Sequence, residues 1–308
     1  MQYFSIKEMN DASVNPAAFI AKCDAAYDAM IQEAAETILA AGEEKPLVLL
    51  SGGSGCGKTT TAHRIEQYLD EHGHETHVLS MDNYYYRPCD RPCPVDEEGK
   101  IDLESPLLLD ADLLSDHLQK IIRCEPIEMP IFDFVNERRS DKVIPFHRKP
   151  GERVIMEGIH ALNPEVVGAA HGMSTKIYIS VRTRVQDSAG YVLHPSRIRV
   201  MRRLLRDQRH RGQSFTDTID RLRSVNRGER LYILPNKHYA DIQLDTFVPY
   251  ELAVYRNELV HHLSKVDPTL LEDLGVSELM PFLRQIDPIS EKYVPENALI
   301  QEFIGDED

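Results

Sequence analysis

A chain of 308 residues, 42% hydrophobic and 28% charged, has the composition of a soluble globular protein of one or two domains with a sizeable core. Its net charge of −15 argues against nucleic acid or an anionic membrane as partner, and no run approaches the roughly eighteen apolar residues of a membrane helix. The polar opening Met1–Glu8 excludes a signal peptide, and cysteines at 23, 56, 89, 93 and 124 have neither disulfide nor zinc spacing, so the expected location is the cytoplasm.

Small and apolar residues at 19, 23, 27, 30, 31, 34 and 38, behind Asn15-Pro16, predict a helix over 16–41 within an N-terminal extension of residues 1–45. Leu47-Val48-Leu49-Leu50 reads as a short buried strand. The stretch that follows, Gly52-Gly53-Ser54-Gly55-Cys56-Gly57-Lys58-Thr59, fits the phosphate-binding pattern G-x4-G-K-[ST], and a helix with Ala62, Ile65 and Leu69 on one face comes next. Glycines let successive N–H groups turn inward around a phosphate, and the helix N-terminus adds its positive end. Lys58 reaches the β- and γ-phosphates, Thr59 joins the Mg2+ shell, and Gly52 through Thr60 form the expected ATP cradle.

A second strand, 76–81, runs directly into Asp82, where a carboxylate faces the γ-phosphate and can take a hydroxyl proton. A helix is expected from Asp110 to about Cys124, then short extended pieces over 127–134. The strand Arg153–Met156 ends in Glu157, a position that holds Mg2+ water ligands in phosphate-loop proteins. After a strand at 176–179, helices over 196–211 and 216–226 follow. The first carries Arg199, Arg202, Arg203 and Arg206 at i, i+3, i+4 and i+7. Residues 182–211 hold nine arginines against two aspartates, and this stripe reads as a phosphate clamp. A strand at 240–244 and a helix at about 249–264 complete a domain spanning 46–265. The tail 266–308, eleven acids against two bases, is expected to wrap the core. Alternating strands and helices predict an α/β fold, a parallel sheet with helices on both faces and ligands at the strand C-termini.

Six motifs stand in order: the phosphate loop, Asp82-Asn83-Tyr84-Tyr85, Pro130-Ile131-Phe132-Asp133-Phe134, Glu157-Gly158-Ile159, Arg202-Arg203-Leu204-Leu205-Arg206-Asp207 and Tyr239-Ala240-Asp241. Over about 46–264 the chain resembles the uridine kinase branch of the phosphoribulokinase/uridine kinase superfamily. The resemblance implies Mg2+- and ATP-dependent phosphorylation of a nucleoside 5′-hydroxyl, and it suggests a homo-oligomer. It makes Asp82 the base, Glu157 the Mg2+-associated acid, and Arg199, Arg202, Arg203 and Arg206 a lid over the phosphates. Glu104 stands where the family has an Asp that grips the ribose, and Tyr85, Phe132, Phe134, Glu137 and Arg139 fall in the acceptor pocket. Phe132 and Glu137 depart from the Tyr and His with which pyrimidine kinases read the base, which leaves the base open. The tail 295–305 is similar to a bacterial subgroup that often carries an N-terminal module like that of threonyl-tRNA synthetase; the 45 residues before this core are too few for it. Two alternatives stay open. One is a kinase of another small hydroxyl compound, such as a sugar phosphate or pantothenate-like alcohol, served by Arg138, Arg139 and Arg148. The other is a non-catalytic ATP-binding regulator. A GTPase lacks support, since no Asn-Lys-x-Asp motif is present.

Overall fold

In the computed structural model, which describes residues 2–86, 93–97, 99–133, 136 and 138–305, the chain opens with a strand of three residues, β1 (Tyr3–Ser5). Ser5 then caps α1 (Ile6–Ser13): its hydroxyl accepts from the Glu8 N–H at 3.1 Å while Glu8 accepts from the Ser5 N–H at 2.9 Å. Asn15 and Pro16 start α2 (Pro16–Ala40), the helix expected from the period.

Five parallel strands form the centre: β2 (Leu47–Ser51), β3 (Thr76–Ser80), β6 (Arg153–Glu157), β7 (Ser174–Ser180) and β10 (Ile242–Asp245), in the order β10-β7-β2-β6-β3. Every residue of β2 and β6 is buried, the signature of a parallel strand covered on both faces. Alternate residues serve the two faces. Leu47, Leu49, Val154 and Met156 pack with Leu114 and Leu118 of α4 (Ala111–Ile122) and with Val166 of α5 (Pro164–Val167). Val48, Leu50, Ile155 and Ile177 pack with Ile31 and Ile38 of α2 and with Ala62, Ile65 and Leu69 of α3 (Lys58–Glu71). The extended pieces at 127–134 resolve into an antiparallel hairpin, β4 (Ile127–Asp133) with β5 (Arg138–Phe146).

A third core joins distant parts of the chain. It collects Ile6 and Met9 of α1, Phe19 and Ile20 of α2, and the buried face of α6 (Pro195–Arg211). Two helices, α7 (Phe215–Asp220) and α8 (Leu222–Gly228), replace the single helix expected at 216–226. With α9 (Glu251–Leu263), α10 (Pro268–Asp273), α11 (Leu279–Leu283) and α12 (Gln301–Ile304), the acidic tail supplies Leu279, Phe282, Leu283, Leu299, Phe303 and Ile304 to this core. Here β1 pairs in parallel with β8 (Arg184–Gln186), which pairs with β9 (Val192–Leu193). Among the described residues no helix is long and apolar enough to cross a membrane.

Candidate active site

The phosphate loop leaves the C-terminal end of β2 and returns into α3. Gly55 and Gly57 take left-handed φ values of +75° and +81°, which a side chain would strain, and a Cβ on Gly52 would collide with the Ile179 carbonyl oxygen of β7. Gly57 occupies the N-cap of α3 and offers no side chain to the helix amides, of which the Thr60 N–H is taken instead by Glu302. Lys58 lies back over the loop, its Nζ donating to the Gly53 carbonyl at 3.4 Å, and Thr59 is exposed.

Two carboxyls stand at the ends of neighbouring strands. Ser80 pairs with Glu157 in the β3–β6 register, and its hydroxyl donates to Glu157 at 2.9 Å. The same hydroxyl accepts from the Asp82 N–H at 3.3 Å, so one serine spaces both acids. Burial pushes the Asp82 carboxyl up, and Lys58, Arg211 and Arg206 pull it back. Glu157 is raised to about 7, by burial first and then by the charge of Asp82, against the pull of Lys58. Two crowded acids beside a half-buried lysine fit a divalent cation, whose charge favours both carboxylates. Asp82 and Glu157 are carboxylates of the kind that could take part in holding such a cation.

The arginine helix is a packed wall of this site. Ile198, Met201, Leu204 and Leu205 are buried, and α6 runs so close that a Cβ on Gly55 would lie 2.9 Å from the Arg199 carbonyl. Arg203 and Arg206 reach the loop and donate to the Ser54 hydroxyl at 3.1 and 3.4 Å. Arg199 pairs with Glu229 at 2.6 Å beside Cys56. Arg202 departs from the expected clamp. Its guanidinium has no exposure, is held by both Glu251 oxygens at 2.6 and 2.9 Å, and donates to the Thr246 and Gly55 carbonyls. A 17-residue helix with arginines on successive turns turns one of them inward, and the buried charge needs a carboxylate. Asp207, fully buried, pairs with Arg203 at 3.2 Å, Arg206 at 3.0 Å and Arg211 at 3.3 Å. As the i+4 neighbour of Arg203 it was visible in the sequence; Ser80, Glu229 and Glu251 carried no local signal.

Around Glu104, a cleft of about 730 Å³ opens between Leu103 and Glu104 on one wall and Arg203, Arg221 and Arg227 on the other; its lining includes none of Lys58, Asp82 and Glu157. Burial raises Glu104, and Arg203 and Lys58 lower it, so it shares the field of the phosphate site. The His160 Nε2 donates to the Glu104 carbonyl at 3.0 Å. Neighbouring Asp102 is buried and accepts from Arg227 at 2.6 Å and from the Tyr232 hydroxyl at 2.7 Å, tying this loop to α8. Tyr85 and Phe132 meet edge-on at 6.2 Å, with Asn83 accepting from the Phe132 N–H at 3.1 Å. Arg139 departs from the expected acceptor contact: it donates to the Tyr84 and Tyr85 carbonyls and pairs with Asp110 at 2.9 Å, fastening β5 to the loop after β3. Arg148 is likewise spent on the Ile121, Ile122 and Glu152 carbonyls. Phe134 and Glu137 lie outside the described residues. A larger groove, about 960 Å³, runs between α2 and the loop 245–249; like the cleft at Glu104 it is lined by none of Lys58, Asp82 or Glu157, but it also lacks Glu104 and every arginine of α6.

A phosphate loop at the head of a parallel sheet, acids on the two adjacent strand ends and arginines facing the loop define a P-loop phosphotransferase. The family model for the phosphoribulokinase / uridine kinase family matches residues 47–251, and the chain belongs to that family. A uridine kinase of Geobacillus sp. (strain WCH70) is 35% identical over 201 residues, 65% of this chain and 85% of the relative. One from Lactobacillus helveticus (strain DPC 4571) is 34% identical over 201 residues, 65% of this chain and 86% of the relative. A solved structure of a possible uridine kinase from Bacillus stearothermophilus aligns with a TM-score of 0.46 at 18% identity, over 70% of this chain and 97% of that one. The protein is thus a nucleotide-binding kinase that phosphorylates a hydroxyl group.

Proposed function

We propose that the protein is a nucleoside kinase that transfers the γ-phosphate of ATP to a 5′-hydroxyl. The observation that supports this is that Lys58 of the phosphate loop acts electrostatically on both Asp82 and Glu104, and Asp82 on Glu104, with Asp82 set beside Glu157 by the shared Ser80 hydroxyl. Lys58 and the α3 amides bind the β- and γ-phosphates, and Arg203 and Arg206 lie across Ser54 where charge spreads in the transition state. Asp82 orients the acceptor hydroxyl and takes its proton as the new O–P bond forms and the bond to the ADP oxygen breaks. Thr59, Glu157 and Asp82 would hold Mg2+ directly or through water, and the ion would supply charge neutralisation on the phosphates. Glu104 offers two acceptor oxygens to ribose hydroxyls, and the edge of Phe132 against Tyr85 gives the base an apolar wall. Of the three arginines a sugar-phosphate acceptor would draw on, Arg139 and Arg148 are spent inside the protein and Arg138 is exposed, so that reading loses two of its three anchors.

The test is ATP consumption across pyrimidine and purine nucleosides, ribulose 5-phosphate and pantothenate, with turnover expected on a nucleoside. Asp82→Asn should then lower turnover by about 10²–10⁴-fold while ATP still binds, and Lys58→Ala should weaken ATP binding itself. Turnover only on a sugar phosphate, or ATP binding lost with Asp82→Asn, would refute the assignment.

A further inference from the structure

The phosphate loop is touched by a segment that lies beyond the family match, which ends at residue 251. Glu302 of α12 accepts from the Thr60 N–H at 3.3 Å and from the Thr60 hydroxyl at 2.9 Å, a contact spanning 242 residues. Thr60 is the third residue of α3, and its amide is among the first-turn donors that the loop presents to phosphate. The backbone carrying Glu302 is firmly seated. Leu299 packs 3.1 Å from where a Cβ of Gly57 would stand, Phe303 and Ile304 are buried, the Arg202 guanidinium lies 5.0 Å over the Phe303 ring, and Arg209 donates to the Ile304 carbonyl. Glu302 is close enough to the cleft for its charge to act on Glu157.

We propose that Glu302 is an affinity-setting residue of the nucleotide site: its carboxylate occupies the Thr60 donors as a resident anion that incoming phosphate must displace or tolerate. The inference rests on the nucleotide reading of the loop. Phosphate and carboxylate want the same donors, and two anions at this spacing repel through a partly desolvated site. The tail therefore weakens nucleotide binding and speeds product release without touching the reacting atoms. Only the Glu302 side chain has to swing, because α12 stays anchored by its neighbours.

Glu302→Gln removes the charge and keeps an acceptor for Thr60, so it separates repulsion from capping. Equilibrium titrations of wild type and variant with ATP, ADP and adenosine, together with thermal midpoints, test the proposal. The expected result is ATP and ADP bound about tenfold tighter by the variant, 1.4 kcal/mol, with adenosine and the midpoint unchanged. The gain should shrink at high salt. Should Glu302→Gln fold poorly, Glu302→Ala, which also removes the charge, is expected to tighten ATP in the same direction. Unchanged or weaker ATP binding by a folded variant overturns the role of Glu302, as does equal tightening of adenosine. Wild type that binds no ATP overturns the nucleotide reading as well, so the two failures are distinguishable.

Discussion

Arg202→Met separates a clamp from a structural strut, because the two roles predict opposite patterns of stability and turnover. The guanidinium is fully buried, pairs side-on with Glu251 at 2.6 and 2.9 Å, and closes two more bonds to the Thr246 and Gly55 carbonyls. Methionine fills much of the stem volume but leaves the Glu251 carboxylate with the Val248 N–H at 3.0 Å and no buried counter-charge. Removing one partner of such a pair costs about 3–5 kcal/mol. The double variant Arg202→Met/Glu251→Leu removes both charges and should recover most of that loss. The chain has no tryptophan, so urea unfolding followed by helical circular dichroism is the appropriate assay. Turnover of the folded single variant should fall by less than about tenfold, whereas losing an arginine that touches transition-state charge costs about 10²–10³-fold. Native stability combined with a turnover loss of hundreds-fold would refute the strut and restore the clamp. A double variant no more stable than the single would refute the pairing argument.

Two further outcomes follow from the acceptor side. His160 is 1% exposed and burial lowers it to about 4, so from pH 6.5 down to 4 the unfolded chain binds more protons and stability falls as pH falls. Because the raised Glu157 works in the opposite direction over the same range and is common to both chains, the comparison is between proteins: from pH 7 to pH 5 wild type should lose about 2 kcal/mol relative to His160→Gln, and identical pH dependence of the two contradicts it. Gly228 has helical dihedrals, so alanine there would normally stabilise α8, yet its Cβ would collide with the Glu104 side chain. Gly228→Ala should therefore raise the acceptor KM about tenfold and leave ATP binding unchanged, an effect of about 1.4 kcal/mol, and equal loss for both substrates would contradict this.

The strand–loop–helix of the phosphate site was readable because its signals are local: a run of four apolar residues, fixed glycine spacing and a helical period. Asp82 and Glu157 were picked out for the same reason: Glu157 ends β6, and Asp82 stands two residues beyond the end of β3. The parallel sheet with both faces covered followed from the alternation of strands and helices, whereas the strand order did not. Pairings over distance were not readable. Nothing near Arg202 announces Glu251, 49 residues later, and the stripe of arginines looked uniform although one is buried and its neighbours face the loop. The three residues of β1 cannot be told from a loop until β8 is beside them. Arg139 and Arg148 looked available because the carbonyls that claim them carry no side-chain signature. The acidic composition of the tail concealed that Leu299, Phe303 and Ile304 are core residues.

The 242 residues between Thr60 and Glu302 also set an order of events during synthesis. At roughly 5–20 residues per second, the carboxylate emerges on the order of 10–50 s after the helix it contacts. Through that interval the first turn of α3 carries open donors and no competing tail, so a nucleotide reaching an early-formed loop is its first anion. On the proposed reading, a nucleotide meets that rival only once the tail has folded against α3.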